Sequence, residues 1–339
     1  MIGSAWDAYR LRIRRKRFLL RAWRKSSQLT QDIDRTSQIG SSDILCFVTL
    51  RNEILRLPYL LDHHRRLGVG HFLIVDNGSD DGSLAFLRDQ PDVSLWRTTD
   101  SYKLSRYGMD WLTWLQRRYG HGHWCLTVDA DEALIYPEWE NRPLPDLTAW
   151  LAARHVRSFG AILLDLYPKG PVSQQPYATG QDPTEVLNWY DAGNYRRQRN
   201  PRFQNEWIQG GVRDRVFFSD RPERAPTLNK VPLVDWRRGY TYVTSTHHVL
   251  PRRLNHVFDT QVPDLPSGVL LHSKFLNTIS AKSAEERERR QHFENSSLYE
   301  DYYQRLIDDV DLWYERARPY RGWKQLVEDG LMSTGDWTV

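Results

Sequence analysis

The feature that most constrains the fold is an alternation of short apolar runs with amphipathic runs that begins at residue 43. Four apolar runs have the length and composition of buried strands: Ile44 to Leu50, His71 to Asp76, Val93 to Arg97 and Trp124 to Asp129. An amphipathic run from Glu53 to Gly70, closed by Gly68, predicts a helix, and further helices are predicted over 84–90 and 105–120. Strands joined by helices imply right-handed crossovers. We therefore predict an α/β fold with a mostly parallel sheet covered by helices on both faces.

Composition divides the rest of the chain. Residues 1–25 are strongly basic, and residues 26–42 are polar and Ser-rich, which indicates a linker. The α/β body is predicted over 43–280. After Ser280, charges of both signs at helical spacing predict a helical C-terminal extension over 281–339, which caps the sheet or forms an oligomer contact.

The basic N-terminal segment carries most of the charge asymmetry. Residues 1–25 contain nine Lys or Arg and one Asp, a net charge of +8, whereas the rest has 38 basic and 42 acidic residues, or −4. A helix here would place five side chains in one broad stripe among the arginines: Trp6, Tyr9, Ile13, Leu20 and Trp23. That pattern suits an anionic membrane surface. A solvated basic tail is the alternative, because Leu11 and Phe18 fall on the opposite side.

Other patterns restrict the class of protein. Nucleic-acid binding is not expected, because the basic cluster is terminal and the body is slightly acidic. The sequence has no apolar run of about 18 residues and no secretory signal, since the run Phe18 to Leu20 is interrupted at Arg21. We expect a cytoplasmic protein, peripheral at the inner face of the membrane if residues 1–25 bind lipid. Cys46 and Cys125 lie in predicted buried strands, which suits reduced thiols.

Polar side chains follow three of the four predicted strands. They are Arg51, Asn52 and Glu53 after the first strand, Asp76 and Asn77 after the second, and Asp129, Asp131 and Glu132 after the fourth. Ligands of open parallel sheets bind outside the carboxyl ends of the strands, so we expect these side chains to converge on one cleft. The glycine fingerprint of dinucleotide binders and the Walker A loop are both missing after the first strand. A bound phosphate would need another source of positive charge.

A divalent cation would supply that positive charge. Neighbouring carboxylates repel one another unless a cation or strong donors compensate. Mg²⁺ or Mn²⁺ takes oxygen ligands and commonly bridges one or two carboxylates to substrate phosphates. In the D-x-D tripeptide of residues 129–131, one acid can meet the metal while the other orients a ribose hydroxyl.

At this point the sequence resembles a known group. The segments LRNEILRLPYLLDHHRRLGVGHFLIVDNGSDDGS and WCLTVDADEALIYP are similar to glycosyltransferase family 2-like enzymes of the GT-A (Rossmann-like) fold, of the bacterial polysaccharide type. In that group the first strand leads into R-N-E, the second ends in D-N-x-S-x-D-G and the fourth in D-x-D. Weaker similarity continues through GGVRDRVFF, NKVPLVDW, STHHVLP and LLHSKFL. The resemblance implies a catalytic domain over 43–280, with a nucleotide-binding half at 43–140 and an acceptor half at 141–280.

The resemblance also implies roles for individual residues. By this resemblance Asp76 would contact the nucleotide base, and the nucleotide pocket would be lined by Arg51, Asn52 and Glu53. Asp129 would lie on the ribose side. Asp131 would bind the metal, with Asp129 as a further candidate ligand. The reaction would move a sugar from a nucleotide-sugar donor, a UDP- or GDP-sugar, to a hydroxyl of a saccharide or lipid-linked saccharide in polysaccharide or glycoconjugate synthesis. Mn²⁺ or Mg²⁺ would stabilise the departing diphosphate.

Inversion, which the resemblance suggests, needs a general base near the acceptor hydroxyl. The sequence does not single one out, and Asp214, Glu206 and Asp191 are all candidates.

Cationic partners for a diphosphate are expected in the acceptor half. His272 and Lys274, separated by one residue at the end of an apolar run, can share a face and reach the metal and a phosphate oxygen. His247 and His248 compete for that role. Arg213, which follows Gly210-Gly211, is a candidate contact to the sugar nucleotide; the alternative is a surface arginine in a tight turn.

Three other functions are alternatives to a glycosyltransferase. A nucleotidyltransferase usually brings a glycine-rich, basic phosphate loop after the first strand, and RNEILRLP lacks one. A haloacid-dehalogenase-type phosphatase has its nucleophilic Asp after the first strand, whereas here D-x-D follows the fourth. A membrane-associated carbohydrate-binding or scaffold protein of the same fold is the non-enzymatic alternative.

Overall fold

The computed structural model describes residues 2–256, 264–277, 279, 304 and 310–338, with side chains from residue 6 onward. The helices are α1 Ile2–Lys25, α2 Leu57–Arg66, α3 Ser83–Arg88, α4 Met109–Arg118, α5 Leu144–Ala153, α6 Pro183–Val186, α7 Gly211–Phe217 and α8 Trp323–Glu328. The strands are β1 Thr30–Ile33, β2 Ile44–Leu50, β3 Val69–Asp76, β4 Val93–Arg97, β5 Trp124–Thr127, β6 Glu132–Ile135, β7 Ser158–Asp165, β8 Trp189–Tyr190, β9 Arg196–Asn200, β10 Asn205–Gln209, β11 Asn229–Asp235, β12 Thr241–Tyr242, β13 Val249–Leu250, β14 Gly268–His272 and β15 Arg318–Pro319. About half of the predicted helical extension, residues 281–303, 305–309 and 339, lies outside the described residues.

In the described part of the chain, nine strands form one sheet in the order β1-β4-β3-β2-β5-β11-β7-β14-β6. The four strands predicted from the sequence, β4-β3-β2-β5, are all parallel. Strand β11 lies antiparallel between β5 and β7, and β14 is parallel to β7. The edge strands β1 and β6 are antiparallel to their neighbours. Most strands therefore run in one direction, and the predicted α/β fold class is confirmed.

The apolar residues of the central strands alternate between two cores. Cys46 and Val48 of β2 belong to a core that includes Leu60 of α2, Leu87 of α3 and Leu147 of α5. Their neighbours Leu45 and Phe47 belong instead to a core that contains Trp111, Leu112 and Leu115 of α4. Because successive strand side chains point to opposite faces, this division means that helices cover both faces of the sheet.

Helix α2 is shorter than its sequence pattern predicted. It begins at Leu57 rather than Glu53, with Pro58 in its first turn, where the missing N–H costs nothing. The residues before it form a turn in which the Leu57 amide donates to the Glu53 carbonyl at 2.9 Å. Beyond the helix, Gly68 has a φ of +94°, a conformation that favours glycine. Strand β5 ends at Thr127, so Asp129 lies in the loop beyond it.

The N-terminal segment is an ordered helix in this structure. Helix α1 packs on α4, with Leu11 and Ala22 buried, and Arg21 forms an ion pair with Asp110 of α4 at 2.9 Å. The segment interpreted as a linker contains β1, which pairs with β4 and extends the sheet. Within the described part of the chain, no helix is long and apolar enough to span a bilayer.

Two adjacent histidines of α2 are buried in the core. The His63 Nε2 atom lies 2.8 Å from the Leu134 carbonyl oxygen, and the His64 Nδ1 atom lies 2.8 Å from the Leu60 carbonyl oxygen. Burial lowers the pKa of His63 to about 4 and the pKa of His64 to about 3. Both rings are therefore neutral in the folded protein at neutral pH.

This burial predicts a loss of stability on mild acidification. Below pH ~6.5 the two histidines become protonated in the unfolded chain. In the folded protein they take up protons only near their lowered pKa values. The free energy of unfolding therefore falls as the pH falls. The expected loss is about 2 kcal/mol for each histidine between pH 6.5 and pH 5. Urea unfolding at several pH values measures the slope. The slope of the free energy of unfolding against pH should correspond to about one proton fewer in His64→Gln than in the wild type. It should stay unchanged in His121→Gln, a substitution of an exposed histidine. Equal slopes in wild type and His64→Gln would contradict this explanation.

Candidate active site at the carboxyl edge of the sheet

Strand directions bring distant residues together at one edge of the sheet. Strands β2, β3, β5, β7 and β14 end there, whereas the antiparallel strands β6 and β11 begin there. We call this the carboxyl edge and define it by Asp76, Asp129, Asp131, Glu132, Asp165, Lys230 and His272. Asp165 and His272 face each other across the β7–β14 pair, as do Glu132 and His272 across the β6–β14 pair.

Two loops at the carboxyl edge are tied together through the R-N-E segment. The Arg51 Nη1 atom donates to the Gly78 carbonyl at 2.7 Å and to the Asn77 carbonyl at 3.2 Å. The Asn52 amide donates to Ser79 Oγ at 2.9 Å. These contacts join the loop after β2 to the loop after β3. A direct contact from Arg51, Asn52 or Glu53 to a nucleotide stays a prediction.

Asp76 ends β3 and is fully buried. Its Oδ1 atom accepts hydrogen bonds from the amides of Gly78, at 3.0 Å, and Ser79, at 3.1 Å. Its Oδ2 atom is also buried, and no described residue supplies a hydrogen bond to it. A buried carboxylate oxygen without a partner is costly. An amide or amine donor from a ligand would remove that cost, and a nucleotide base supplies such donors.

Lys230, the second residue of β11, compensates two of the acids that follow β5. Its Nζ atom lies 2.7 Å from Glu132 Oε1 and 3.2 Å from Asp129 Oδ2. Burial lowers the pKa of Lys230, but the Glu132 and Asp129 carboxylates outweigh burial and raise it. Burial raises the pKa of Glu132 to about 7, with Lys230 opposing and Asp129 adding to the shift. The sequence analysis assigned this compensation to a metal ion, whereas the structure provides a lysine for Asp129 and Glu132.

Asp131 has a different partner. Its Oδ2 atom lies 3.1 Å from His272 Nε2, and the other ring nitrogen of His272 lies 2.6 Å from Asp165 Oδ1. Burial raises the pKa of Asp131, but the charge of His272 and its hydrogen bond outweigh burial and hold the pKa well below its ordinary value. Burial lowers the pKa of His272, but Asp131 and Asp165 outweigh it, so the pKa is raised. The two carboxylates therefore stabilise the protonated form of the His272 ring.

Further cations surround this pair. Arg213 donates to Asp165 at 2.7 Å and forms a buried ion pair with it. A contact from Arg213 to a sugar nucleotide stays a prediction. Arg213 and His272 hold the pKa of Asp165 at about 2 although burial raises it. Burial lowers the pKa of Lys274, with Asp131 opposing that shift. Arg56 lies 2.8 Å from Glu53 and donates to the Ser273 carbonyl at 3.0 Å.

A pocket opens beside Asp131. Its wall includes Arg56 just before α2, Tyr59 of α2, Asp131 itself, Thr184 of α6 and Ser273 after β14. The Ser273 amide and hydroxyl both donate to the Asp131 carbonyl, at 2.8 Å and 3.2 Å. These contacts fix the backbone of the D-x-D loop, so its second carboxylate faces both the pocket and His272.

The donor set at Asp131 fits a divalent ion that takes most of its ligands from substrate and water. Within the described residues, no group of three or more His, Cys, Asp or Glu side chains is arranged to hold a metal. The Asp131 Oδ2 and His272 Nε2 atoms are 3.1 Å apart and within hydrogen-bonding distance of each other. This separation is also close to the ~3.0 Å between adjacent ligands of an octahedral ion with bonds of ~2.1 Å. The Asp165 contact to the other ring nitrogen is the usual support of a metal-binding histidine.

Each of the three candidate general bases lies near an arginine. Asp214 accepts two hydrogen bonds from Arg196, at 2.7 Å and 2.8 Å. Asp191 accepts from Arg215 at 2.8 Å and from the Tyr167 hydroxyl. Glu206 Oε2 lies 3.9 Å from Arg197. None of these contacts tests a role in proton transfer, and the assignment of a base stays a prediction.

The competing histidines have other contacts. His247 Nδ1 lies 2.7 Å from the Asn229 carbonyl oxygen, and burial, with a smaller effect of Lys230, lowers its pKa well below its ordinary value. The His248 ring is stacked between Phe203 and Trp207, with centroid distances of 4.2 Å and 5.6 Å. Burial lowers the pKa of His248 to about 4.

Sequence analysis missed three residues of the site: Arg56, Asp165 and Lys230. Asp165 follows the apolar run FGAILL, so the rule that found Asp76 also applies to it. Lys230 precedes the apolar run VPLV, but only the antiparallel pairing of β11 with β5 brings it opposite the D-x-D loop. Arg56 carried no signal beyond its position in a helical pattern.

Two solved structures align with most of this chain at low sequence identity. No protein-family model matches the chain, and no curated protein matches it. A crystal structure of apo UDP-glucose pyrophosphorylase aligns with a TM-score of 0.30 and 9% identity, over 73% of this chain and 99% of that one. A Bacillus anthracis structure assigned as a glucose-1-phosphate thymidylyltransferase, in complex with a sucrose, aligns with a TM-score of 0.26 and 7% identity, over 77% of this chain and 83% of that one. At such scores neither likeness supports an argument about function.

The Lys230 contacts predict a strong effect of removing this charge. In Lys230→Met at pH 8, two carboxylates lose their buried cation, and we expect the free energy of unfolding to fall by about 3 kcal/mol. The double variant Lys230→Met/Glu132→Gln should lose less, because it also removes the buried charge left behind. Denaturant unfolding of the two variants measures the difference. Equal losses would show that Lys230 and Glu132 are not coupled.

Proposed function

We propose that this protein is a metal-dependent glycosyltransferase that moves a sugar from a nucleotide-sugar donor to a hydroxyl acceptor. One observation carries the proposal: at the carboxyl edge, Asp131 and His272 lie at the spacing of adjacent metal ligands, and Asp165 orients the histidine. The D-x-D loop and the fully buried Asp76 belong to the same edge. These features match the donor site that the motif resemblance implies.

On the donor side, Asp76 would accept a hydrogen bond from the nucleotide base through its buried Oδ2 atom. Asp129 would orient the ribose, because its side chain remains partly exposed although Lys230 neutralises it. Arg51 would act by holding the two loops of the nucleotide pocket together. Burial of the base against these loops would exclude water from one side of the donor.

At the diphosphate, Asp131 and His272 are the residues that would hold Mn²⁺ or Mg²⁺. When bound, such an ion supplies Lewis-acid stabilisation of the negative charge that develops on the leaving diphosphate. The Asp131 carboxylate is close enough to Lys274 to oppose the lowering of the Lys274 pKa by burial. Lys274 would contact a phosphate oxygen. The pocket beside Asp131, with Arg56 in its wall, would take the transferred sugar or the acceptor hydroxyl.

Metal-dependent nucleotide binding tests the proposal directly. With UDP or GDP, Mn²⁺ should raise the melting temperature, because ligands that bind only the folded state stabilise it. Asp131→Asn should abolish the effect of Mn²⁺. Asp129→Asn should keep it while weakening nucleotide binding, since the geometry separates the two carboxylates. A nucleotide shift with the same Mn²⁺ dependence in Asp131→Asn would refute the metal assignment.

Product analysis separates the proposed reaction from a nucleotidyltransferase. A glycosyltransferase incubated with a panel of nucleotide sugars slowly releases the nucleoside diphosphate and free sugar by transfer to water. A nucleotidyltransferase instead forms nucleoside triphosphate and sugar phosphate when pyrophosphate is supplied. The proposal requires the first pattern for at least one donor and no exchange with pyrophosphate. No response to any nucleotide would favour a non-catalytic carbohydrate-binding or scaffold protein.

Asp165 is predicted to be a positioning residue that acts through His272. Asp165→Asn removes the charge behind the ring, and loss of such a partner typically weakens metal binding 10- to 100-fold, so we expect a rise of about that size in the apparent Kd for Mn²⁺ in the presence of nucleotide. Asp110→Asn is a matched control, because Asp110 is also a buried carboxylate paired with arginines, but on α4. An unchanged Mn²⁺ affinity in Asp165→Asn, or an equal loss in Asp110→Asn, would contradict a positioning role.

A further inference from the structure

Helix α1 exposes an unusual amount of apolar surface. The large hydrophobic side chains exposed in the described part of the chain are Trp6, Tyr9, Ile13, Leu20, Trp23 and Leu104. All but the last belong to α1. Trp6 is 59% exposed and Trp23 is 58% exposed, in a protein whose other tryptophans include the fully buried Trp111 and Trp236. We call the five α1 residues the exposed stripe.

The opposite side of α1 is attached to the body of the protein. Leu11 and the partly buried Phe18 belong to a small core with Phe203, Val243 and Leu250. On α4, Arg117 donates to the Leu19 carbonyl at 3.3 Å. At ~100° per residue, the buried positions Leu11, Phe18 and Ala22 span an arc of ~40°, and the exposed stripe spans ~100° on the other side. The stripe is therefore held outward on a fixed support.

Basic side chains border the exposed stripe. The exposed cations of α1 are Arg10, Arg12, Lys16, Arg17, Arg21 and Arg24. The only acidic residue in 1–25 is Asp7. Tryptophan, tyrosine and aliphatic side chains surrounded by arginine and lysine are the composition of helices that lie in the plane of a membrane interface.

We propose that α1 docks this protein on an anionic lipid bilayer, parallel to the surface, with the exposed stripe in the boundary between headgroups and acyl chains. The charge of α1 favours a bilayer over a second copy of the chain as the partner of the exposed stripe. Two stripes that each lie in a segment of net charge +8 would repel each other. An anionic bilayer is attracted to the same segment and accepts both the apolar and the basic side chains. The proposal does not depend on the proposed reaction.

Co-sedimentation of the full chain with vesicles tests the proposal. We expect binding to vesicles that contain phosphatidylglycerol in phosphatidylcholine, and little binding to phosphatidylcholine alone. Binding should weaken as salt is added, since screening reduces the attraction. Trp6→Ser/Trp23→Ser should weaken the partition coefficient about tenfold or more, because it removes two interfacial anchors. Arg12→Gln/Lys16→Gln should weaken it about 30-fold.

A matched control separates the location of charge from its amount. Arg316→Gln/Arg321→Gln removes two exposed arginines outside α1. Ala317 and Tyr320, which are next to them in the chain, pack in cores that do not include α1, and we expect this variant to leave vesicle binding nearly unchanged. All three variants should keep the wild-type melting temperature, since each changes exposed side chains. Equal binding to both kinds of vesicle, or no effect of the tryptophan substitutions, would overturn the proposal. So would a dimer in sedimentation velocity that is lost in Trp6→Ser/Trp23→Ser while vesicles are not bound.

Discussion

The structure of the site depends on how four carboxylates at one sheet edge are neutralised. Lys230 lies 2.7 Å from Glu132 and 3.2 Å from Asp129. His272 lies between Asp131 and Asp165, at 3.1 Å and 2.6 Å. Without these cations the carboxylates would repel one another in a largely buried environment, which proteins avoid at a cost of several kcal/mol per unpaired charge. The antiparallel strand β11 and the parallel pair β7–β14 are what bring the cations to this edge.

This arrangement gives the two acids of the D-x-D loop different chemical properties. Asp129 is neutralised by a lysine, whose charge is fixed because its pKa is raised. Asp131 is paired with a histidine and forms part of the pocket wall. In the proposed site, a metal ion at His272 Nε2 would have to displace the proton there, because metal binding needs the neutral imidazole. The proposed exchangeable cation is therefore assigned to the second carboxylate and not to the first.

The sequence predicted the parts of the fold that depend on local patterns. Strands β2 and β4 have the predicted bounds, and Asp76 ends β3 as expected. Helix α2 started later than predicted because the periodic pattern did not separate the helix from the turn of residues 53–56 that precedes it. Lys230, more than 90 residues after Asp131 in the sequence, could not be placed, because a pairing of distant strands leaves no local pattern. The sequence grouped the five α1 side chains in one stripe and left a solvated basic tail open. Only packing of α1 on α4 showed which side of the helix faces solvent.

Anomalous diffraction from crystals grown with Mn²⁺ and a nucleoside diphosphate tests the central claim most directly. We expect a manganese peak within coordination distance of both Asp131 Oδ2 and His272 Nε2 and next to the diphosphate, with the base within hydrogen-bonding distance of Asp76. A manganese ion bound elsewhere, or a nucleotide bound with His272 still hydrogen-bonded to Asp131 and no metal between them, would contradict it.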